Sequence, residues 1–210
     1  MSITNRELTT TSYAMLGLLA IRPWSTYELA QQMRRNLHFF WPRAESNLYA
    51  EPKKLVSGGW AKAVSRPVGE RRRTVYSITA QGHRALEQWL RQPSTPTKVE
   101  AEPLVKFAFA ENTTKEHVLE NVRRFQEDAR TRQKRLRTIF EEYLRNAEPF
   151  PERVHINVVA YRLLWDYARA DATWAAWALD QVRLWPNTTQ PPGRGALMGV
   201  LRAALDTEAS

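Results

Sequence analysis

The sequence contains no cysteine. That absence removes disulfides, thiolate zinc sites and cysteine nucleophiles together, and it fits a reducing compartment. Long apolar runs are missing too. The longest, Ala14 to Ile21 with Gly17 counted in, is far short of the roughly 20 residues a membrane span requires. The opening Met1-Ser2-Ile3-Thr4-Asn5-Arg6 has no apolar stretch behind a basic start, so no secretory signal is expected. A soluble, cytoplasmic protein with no membrane partner is the expectation. Histidine is scarce as well: His38, His83, His117 and His155 lie far apart and share no metal-ligand spacing. No serine stands in a Gly-x-Ser-x-Gly elbow. Gly193-Arg194-Gly195 with Gly199 misses the dinucleotide fingerprint by one residue and follows no strand. Catalytic residues, metal ligands and cofactors are therefore all expected to be absent, and the chain reads as no enzyme.

What is present is a chain of 210 residues, 43% hydrophobic and 10% aromatic, enough to build a packed core. Its length suits two domains of about 100 residues each. The net charge of +9 is uneven. Residues 1–92 hold 14 Lys and Arg against 6 Asp and Glu, whereas residues 93–210 hold 17 against 16. A basic excess confined to one half points to a polyanionic partner, or else to a solvated surface that is merely basic. The halves meet at Gln92-Pro93-Ser94-Thr95-Pro96-Thr97-Lys98, which reads as a linker. Domains are accordingly expected over 1–92 and 93–210.

In the first half, Thr10-Thr11-Ser12 can cap a buried apolar helix over Tyr13 to Ile21. Ser25-Thr26-Tyr27-Glu28 forms a capping box for a second helix, about Thr26 to Asn36. A third runs from about Ala44 to Val56, and Gly58-Gly59 stops it. The period then alternates. Trp60, Lys62, Val64 and Arg66 share one strand face, Pro67-Val68-Gly69-Glu70 supplies a turn, and Thr74, Tyr76 and Ile78 mark a second strand. Arg71-Arg72-Arg73 falls between turn and strand, and Thr79 caps a fourth helix to about Arg91. The second half reads as all helical. Thr113-Thr114-Lys115-Glu116 opens a helix of about 30 residues, roughly 45 Å long. Its seam, Leu119, Val122, Gln126, Ala129, Gln133, Leu136, Phe140 and Tyr143, has coiled-coil-like spacing. A second long helix, about Glu152 to Trp185, is rich in Tyr and Trp, and a short tail helix follows.

Three helices, a basic hairpin and a fourth helix are the order of a winged helix-turn-helix. The third helix of such a unit lies in the major groove, where base edges carry a readable pattern. A hairpin carrying Arg71-Arg72-Arg73 can set guanidinium groups on phosphates or in a narrow minor groove. The fold class read here is mainly α: an N-terminal winged helix-turn-helix with a two-stranded β-wing, then an all-α C-terminal dimerisation domain.

The stretch from Tyr13 to Leu90 resembles the N-terminal domain of the PadR family of transcriptional regulators. The resemblance is carried by Leu16-Gly17-Leu18-Leu19, Thr26-Tyr27-Glu28-Leu29, Ser46-Asn47-Leu48-Tyr49, Gly58-Gly59-Trp60, the Arg-rich hairpin, and Tyr76-Ser77-Ile78-Thr79 followed by Gly82. The helical second half is similar in outline to the dimerisation region of longer members. One departure stands out. Pro52 takes the place of a frequent leucine, and proline removes a helical hydrogen bond, so the third helix is expected to bend there rather than end. The resemblance implies that Ser46, Asn47 and Tyr49 face DNA, with a core aromatic as the other reading of Tyr49. It implies that Lys53 and Lys54 reach phosphates or guanine edges, and that Arg66, Arg71, Arg72 and Arg73 serve the wing. Arg43 and Lys62 join them as phosphate contacts on charge alone. Trp89 is implied either near a pocket for flat aromatic ligands or as a packed core residue. The function implied is a homodimeric repressor of a palindromic operator on double-stranded DNA, released by a small aromatic effector. The alternatives are a winged helix that docks partner proteins, and an enzyme with an unrecognised site among the Trp-rich helices.

Overall fold

The computed structural model describes residues 8–37, 45–68, 71–97, 99–190 and 193–206. Its contacts divide the chain into two compact units, Met1–Thr97 and Lys98–Ser210.

In the first unit, helix α1 (Thr10–Ile21) begins one turn earlier than the sequence pattern places it. Thr9 is the cap. Its hydroxyl accepts from the Ser12 amide, while the Ser12 hydroxyl accepts from the Thr9 amide at 2.9 Å. Met15, Leu16, Leu18 and Leu19 are buried, as a helix apolar on most faces requires. The chain then turns through Arg22 and Pro23 into a short strand, β1 (Trp24–Ser25). The Trp24 indole donates to the Leu18 carbonyl at 2.7 Å, satisfying an acceptor at the end of α1. Arg22 lies 3.6 Å over the Trp24 ring, a cation–π contact.

Helix α2 (Thr26–Gln32) starts from the expected reciprocal box of Ser25 and Glu28. It does not run on as one α-helix to Asn36 but widens into a π-helical turn over Met33–Leu37, a local rearrangement that often marks functional segments. Helix α3 (Glu45–Ser57) passes through Pro52 and ends on a left-handed Gly59, φ 78°. The Trp60 amide donates to Leu55 O and the Gly59 amide to Val56 O, both at 3.0 Å, the paired bonds of a Schellman stop.

Strands β2 (Ala61–Val68) and β3 (Arg71–Ile78) form the hairpin, and β1 adds to the other edge of β3, giving the order β1-β3-β2. Pro67 and Val68 belong to β2, paired with Arg72 and Arg71, so the arginine run lies inside the ladder rather than between turn and strand. Helix α4 (Ala80–Leu90) is capped by Thr79, whose hydroxyl accepts from the Gly82 amide.

In the second unit, helix α5 (Glu102–Ala108) leads through a 3-10 turn to α6 (Lys115–Leu144). Another 3-10 turn, Pro151–Arg153, opens α7 (Val154–Arg183), and α8 (Arg194–Asp206) follows. Bonds at both ends show that α6 and α7 are antiparallel. Lys115 of α6 reaches the carbonyls of Arg183 and Trp185, while Asn157 of α7 donates to the Tyr143 hydroxyl at 2.8 Å. The face of α6 that is buried is Val118, Val122, Ala129, Leu136 and Ile139. This shifts the expected seam: Val118 and Ile139 enter it, and its partner is α7 of the same chain. Val122 packs with Ala175, Ala178 and Leu179, and Val118 with Val182. Aromatic pairs continue the contact, Phe125 with Trp174 at 5.3 Å and Tyr143 with Tyr161 at 5.7 Å. The cap of α6 is Thr114, not Thr113. The Glu116 carboxylate, bonded to its own amide and to the Thr114 hydroxyl, titrates below the usual glutamate range. Arg132 of α6 pairs with Asp171 across to α7.

Candidate nucleic-acid interface

Helix α3 sorts its residues by period. Leu48, Pro52 and Leu55 are buried on one face. Tyr49 and Lys53, one turn apart, are exposed on the other, Tyr49 by 39%. Tyr49 is therefore no core aromatic. The backbone of Ser46 and Asn47 forms the first turn of α3, while their side chains, and Arg43 altogether, lie outside the described residues.

Lys54 behaves differently from Lys53. Its ammonium lies 3.4 Å from the Glu51 carboxylate and 3.3 Å from the Ser12 hydroxyl of α1. Ser12 is fully buried and donates to Glu51. Lys53 is exposed and has no ion-pair partner among the described residues.

The hairpin places its cations by register. Arg66 stands opposite Arg73, Pro67 opposite Arg72 and Val68 opposite Arg71. The backbone of Arg66, Arg71 and Arg72 is thus gathered at the outer end of the wing; their side chains lie outside the described residues. Like charges at directly opposed positions destabilise a ladder, and Arg73 has found a counter-ion. Its guanidinium lies 2.6 Å from Glu28 of α2 and donates to the Ser25 hydroxyl at 2.8 Å. Burial pushes the Glu28 carboxyl up. The Ser25 amide, the Ser25 hydroxyl and Arg73 together outweigh that and hold it below the usual range. Lys62, exposed on β2 opposite Ser77, remains available. The Ser12–Glu51–Lys54 and Ser25–Glu28–Arg73 clusters escape sequence reading because each joins residues about 40 or more positions apart.

Trp89 of α4 stacks on Tyr13 of α1, ring centroids 4.7 Å apart and planes within 5°. It is half-buried. In the second unit Trp174 packs edge-on against Phe107 and Phe125, and Trp165 tilts against Phe140. The cleft beside Phe107, Phe125 and Trp174 has room for only about 10 Å³, the scale of one water. Among the described residues no group of three or more His, Asp or Glu could hold a metal ion, and no helix is long and apolar enough to cross a membrane.

A three-helix core with a sheet-borne hairpin projecting beside its third helix defines a winged helix-turn-helix. Residues 15–88 match the model of the transcriptional regulator PadR-like family. Those residues, which lie within the first unit, form a PadR-like domain. It is 28% identical over 142 residues to the negative transcriptional regulator PadR of Bacillus subtilis, covering 65% of this chain and 76% of the relative. It is 28% identical over 87 residues to a probable transcriptional regulator of Mycobacterium tuberculosis. That match spans 41% of this chain and somewhat under half, 46%, of the relative. The fold is shared with Bacillus subtilis PadR crystallised with operator DNA, at a TM-score of 0.70 and 20% identity, covering 83% of this chain and 99% of that one. It is shared too with the same protein bound to p-coumaric acid, at a TM-score of 0.62 and 22% identity, covering 82% and 94%.

Proposed function

We propose that this protein is a sequence-specific DNA-binding regulator, a repressor that acts as a homodimer on a palindromic operator in the cytoplasm. The observation that carries the reading is the joint placement of α3 and the wing. The Tyr49–Lys53 face of α3 is solvent-exposed, and the ladder gathers Arg66, Arg71 and Arg72 at the hairpin end. A helix face of this kind enters a major groove, with Ser46, Asn47 and Tyr49 toward base edges. Lys53, Lys62, Arg43 and the arginines at the hairpin end, Arg66, Arg71 and Arg72, supply phosphate contacts, which position the protein without reading sequence. No catalytic role is assigned to any residue.

The homodimer is supported by α7. One of its faces packs on α6, yet Ile156, Val159, Leu163 and Tyr167 repeat at helical spacing on another face and are 48–73% exposed. A helix apolar on two faces calls for a second partner, and a second copy satisfies it symmetrically. Ligand response is supported by the p-coumaric acid complex of the Bacillus relative. A flat aromatic acid is the effector class assigned here, with Trp89 as its candidate contact, since a ring already stacked on Tyr13 has a second face to offer.

The test is fluorescence anisotropy of the purified protein on DNA from around its own gene, titrated with salt. Binding about 1,000-fold tighter than to random duplex, weakening steeply with salt, is expected. Equal, weak binding to that DNA and to every fragment of a genomic selection would replace this reading with a winged helix that docks proteins.

A further inference from the structure

We propose that Lys54 and Arg73 are positioning residues, tethers that fix the recognition helix and the wing against the N-termini of α1 and α2, and that neither contacts phosphate. The inference rests on the DNA-binding reading above and assigns roles within it.

The two cations sit in matching clusters. In each, a buried serine belonging to a helix-capping box donates its hydroxyl to a glutamate and accepts from the cation. Ser25 is 3% exposed; its hydroxyl donates to Glu28 at 2.8 Å and accepts from Arg73 at 2.8 Å. Ser12, fully buried, donates to Glu51 and accepts from Lys54 at 3.3 Å. Each cluster joins a reading element to the helix core: β3 to α2 through Arg73, and α3 to α1 through Lys54 and Glu51. The carboxylates decide the matter. Glu28 and Glu51 are mostly buried, at 28% and 13% exposure, and each needs its cation. If Arg73 swung to a phosphate, Glu28 would lose both its charge partner and a donor just as another anion arrived. A partly buried charge deprived of its partner is costly. Lys53, next to Lys54 and exposed, has no such tie among the described residues and is the natural phosphate contact of α3.

Phosphate contacts and tethers differ in a measurable way. Each phosphate neutralised adds about 0.9 to the salt slope of log K; a tether adds nothing to the slope but sets geometry, and therefore selectivity. The experiment measures salt slope and the ratio of selected-site to random-duplex affinity for the full chain and for Lys53→Gln, Lys54→Gln, Arg73→Gln, Glu28→Gln and the Glu28→Gln/Arg73→Gln pair. Lys53→Gln should lower the slope by about 0.9. Lys54→Gln and Arg73→Gln should leave it unchanged and reduce selected-site affinity about tenfold, the scale of one charged hydrogen bond, with little effect on random duplex. Glu28→Gln gives the sharpest sign. Removing a negative charge from a DNA-binding surface ordinarily tightens binding; here it should weaken selected-site binding, and the double variant should be no weaker than Arg73→Gln. Arg73→Lys, which keeps one bond to Glu28, should restore part of the selectivity, and it decides the question if Arg73→Gln does not fold. A slope reduced by about 0.9 in Arg73→Gln, Arg73→Lys or Lys54→Gln, or tighter binding by Glu28→Gln, overturns the proposal. A wild-type chain with no salt-dependent DNA binding is a different result: it overturns the DNA-binding reading, and the tethers with it.

Discussion

A hydrogen atom at position 82 holds the wing to the last helix of the first unit. A Cβ built on Gly82 would stand 2.1 Å from the Trp60 carbonyl oxygen and 2.8 Å from Cγ1 of Ile78. Backbone cannot yield as a flexible side chain can, so Gly82→Ala must push α4 away from the hairpin base. The expected cost is about 2 kcal/mol, in the range of overpacked cores. Urea unfolding of the variant measures it, and an unchanged midpoint would refute the close approach. Glu28 makes a second prediction at this scale. Its folded pKa lies below the unfolded one, so its carboxylate contributes stability above the usual range near 4.5, and that stability is lost as pH falls through the lower folded value. A carboxyl-carbon NMR titration should place Glu28 below 4.5, and Arg73→Gln should move it back up. An upward move is required because Arg73 lowers this pKa through both a hydrogen bond and its charge; a titration indifferent to Arg73 would remove the ion pair from solution.

At the scale of elements, helix ends do much of the joining. Lys115 sits in the first turn of α6, where the helix dipole disfavours a cation, yet its ammonium donates to the Arg183 and Trp185 carbonyls at 2.7 and 2.6 Å. The first is an orphan acceptor in the last turn of α7 and the second lies just past its C-cap, Leu184, and the negative end of that dipole compensates the position. Lys115→Met should destabilise the second unit by roughly 1–2 kcal/mol and raise hydrogen exchange in the last turn of α7 first; exchange that rises elsewhere and not there would refute the cap. Such local signals explain what the sequence makes legible. The Ser25–Glu28 box, the Gly58-Gly59 stop and the Thr79 cap are short-range chemistry, and each stands where its residues place it. The 30-residue length of α6 follows from a sustained apolar period. What escaped depends on distant partners. β1 is two residues long and exists because β3 offers an edge to Trp24 and Ser25. The burial of Val118 and Ile139 is chosen by α7, not by the period of α6 alone. Lys54 and Arg73 look like free cations in the sequence, and only the folded chain shows the glutamates that hold them.

For the whole molecule the decisive surface is the second face of α7. The coiled-coil-like seam of α6 is largely covered by α7 inside the chain, so the proposed homodimer would draw on apolar surface that α6 leaves open. Val159 is 73% exposed and Leu163 56%, one turn apart, with Tyr167 at 53% a turn further on. Burying such side chains against a second copy yields roughly 1.5–3 kcal/mol each when burial is complete, enough in number to support a stable pair. Charged replacements on that face would be buried without partners in a dimer but well solvated in a monomer. Val159→Glu with Leu163→Glu should therefore leave each chain folded by circular dichroism and halve the mass seen by light scattering. A dimer on a two-half-site operator also gains avidity, commonly 10²–10⁴-fold, so the same variant should lose about that much affinity for the full operator while keeping its affinity for a single half-site. Half-sites about 34 Å apart would serve two recognition helices on one side of the duplex. A variant that stays dimeric would move the interface to another surface. A variant that becomes monomeric yet binds the full operator as well as before would show that the reading heads act one at a time.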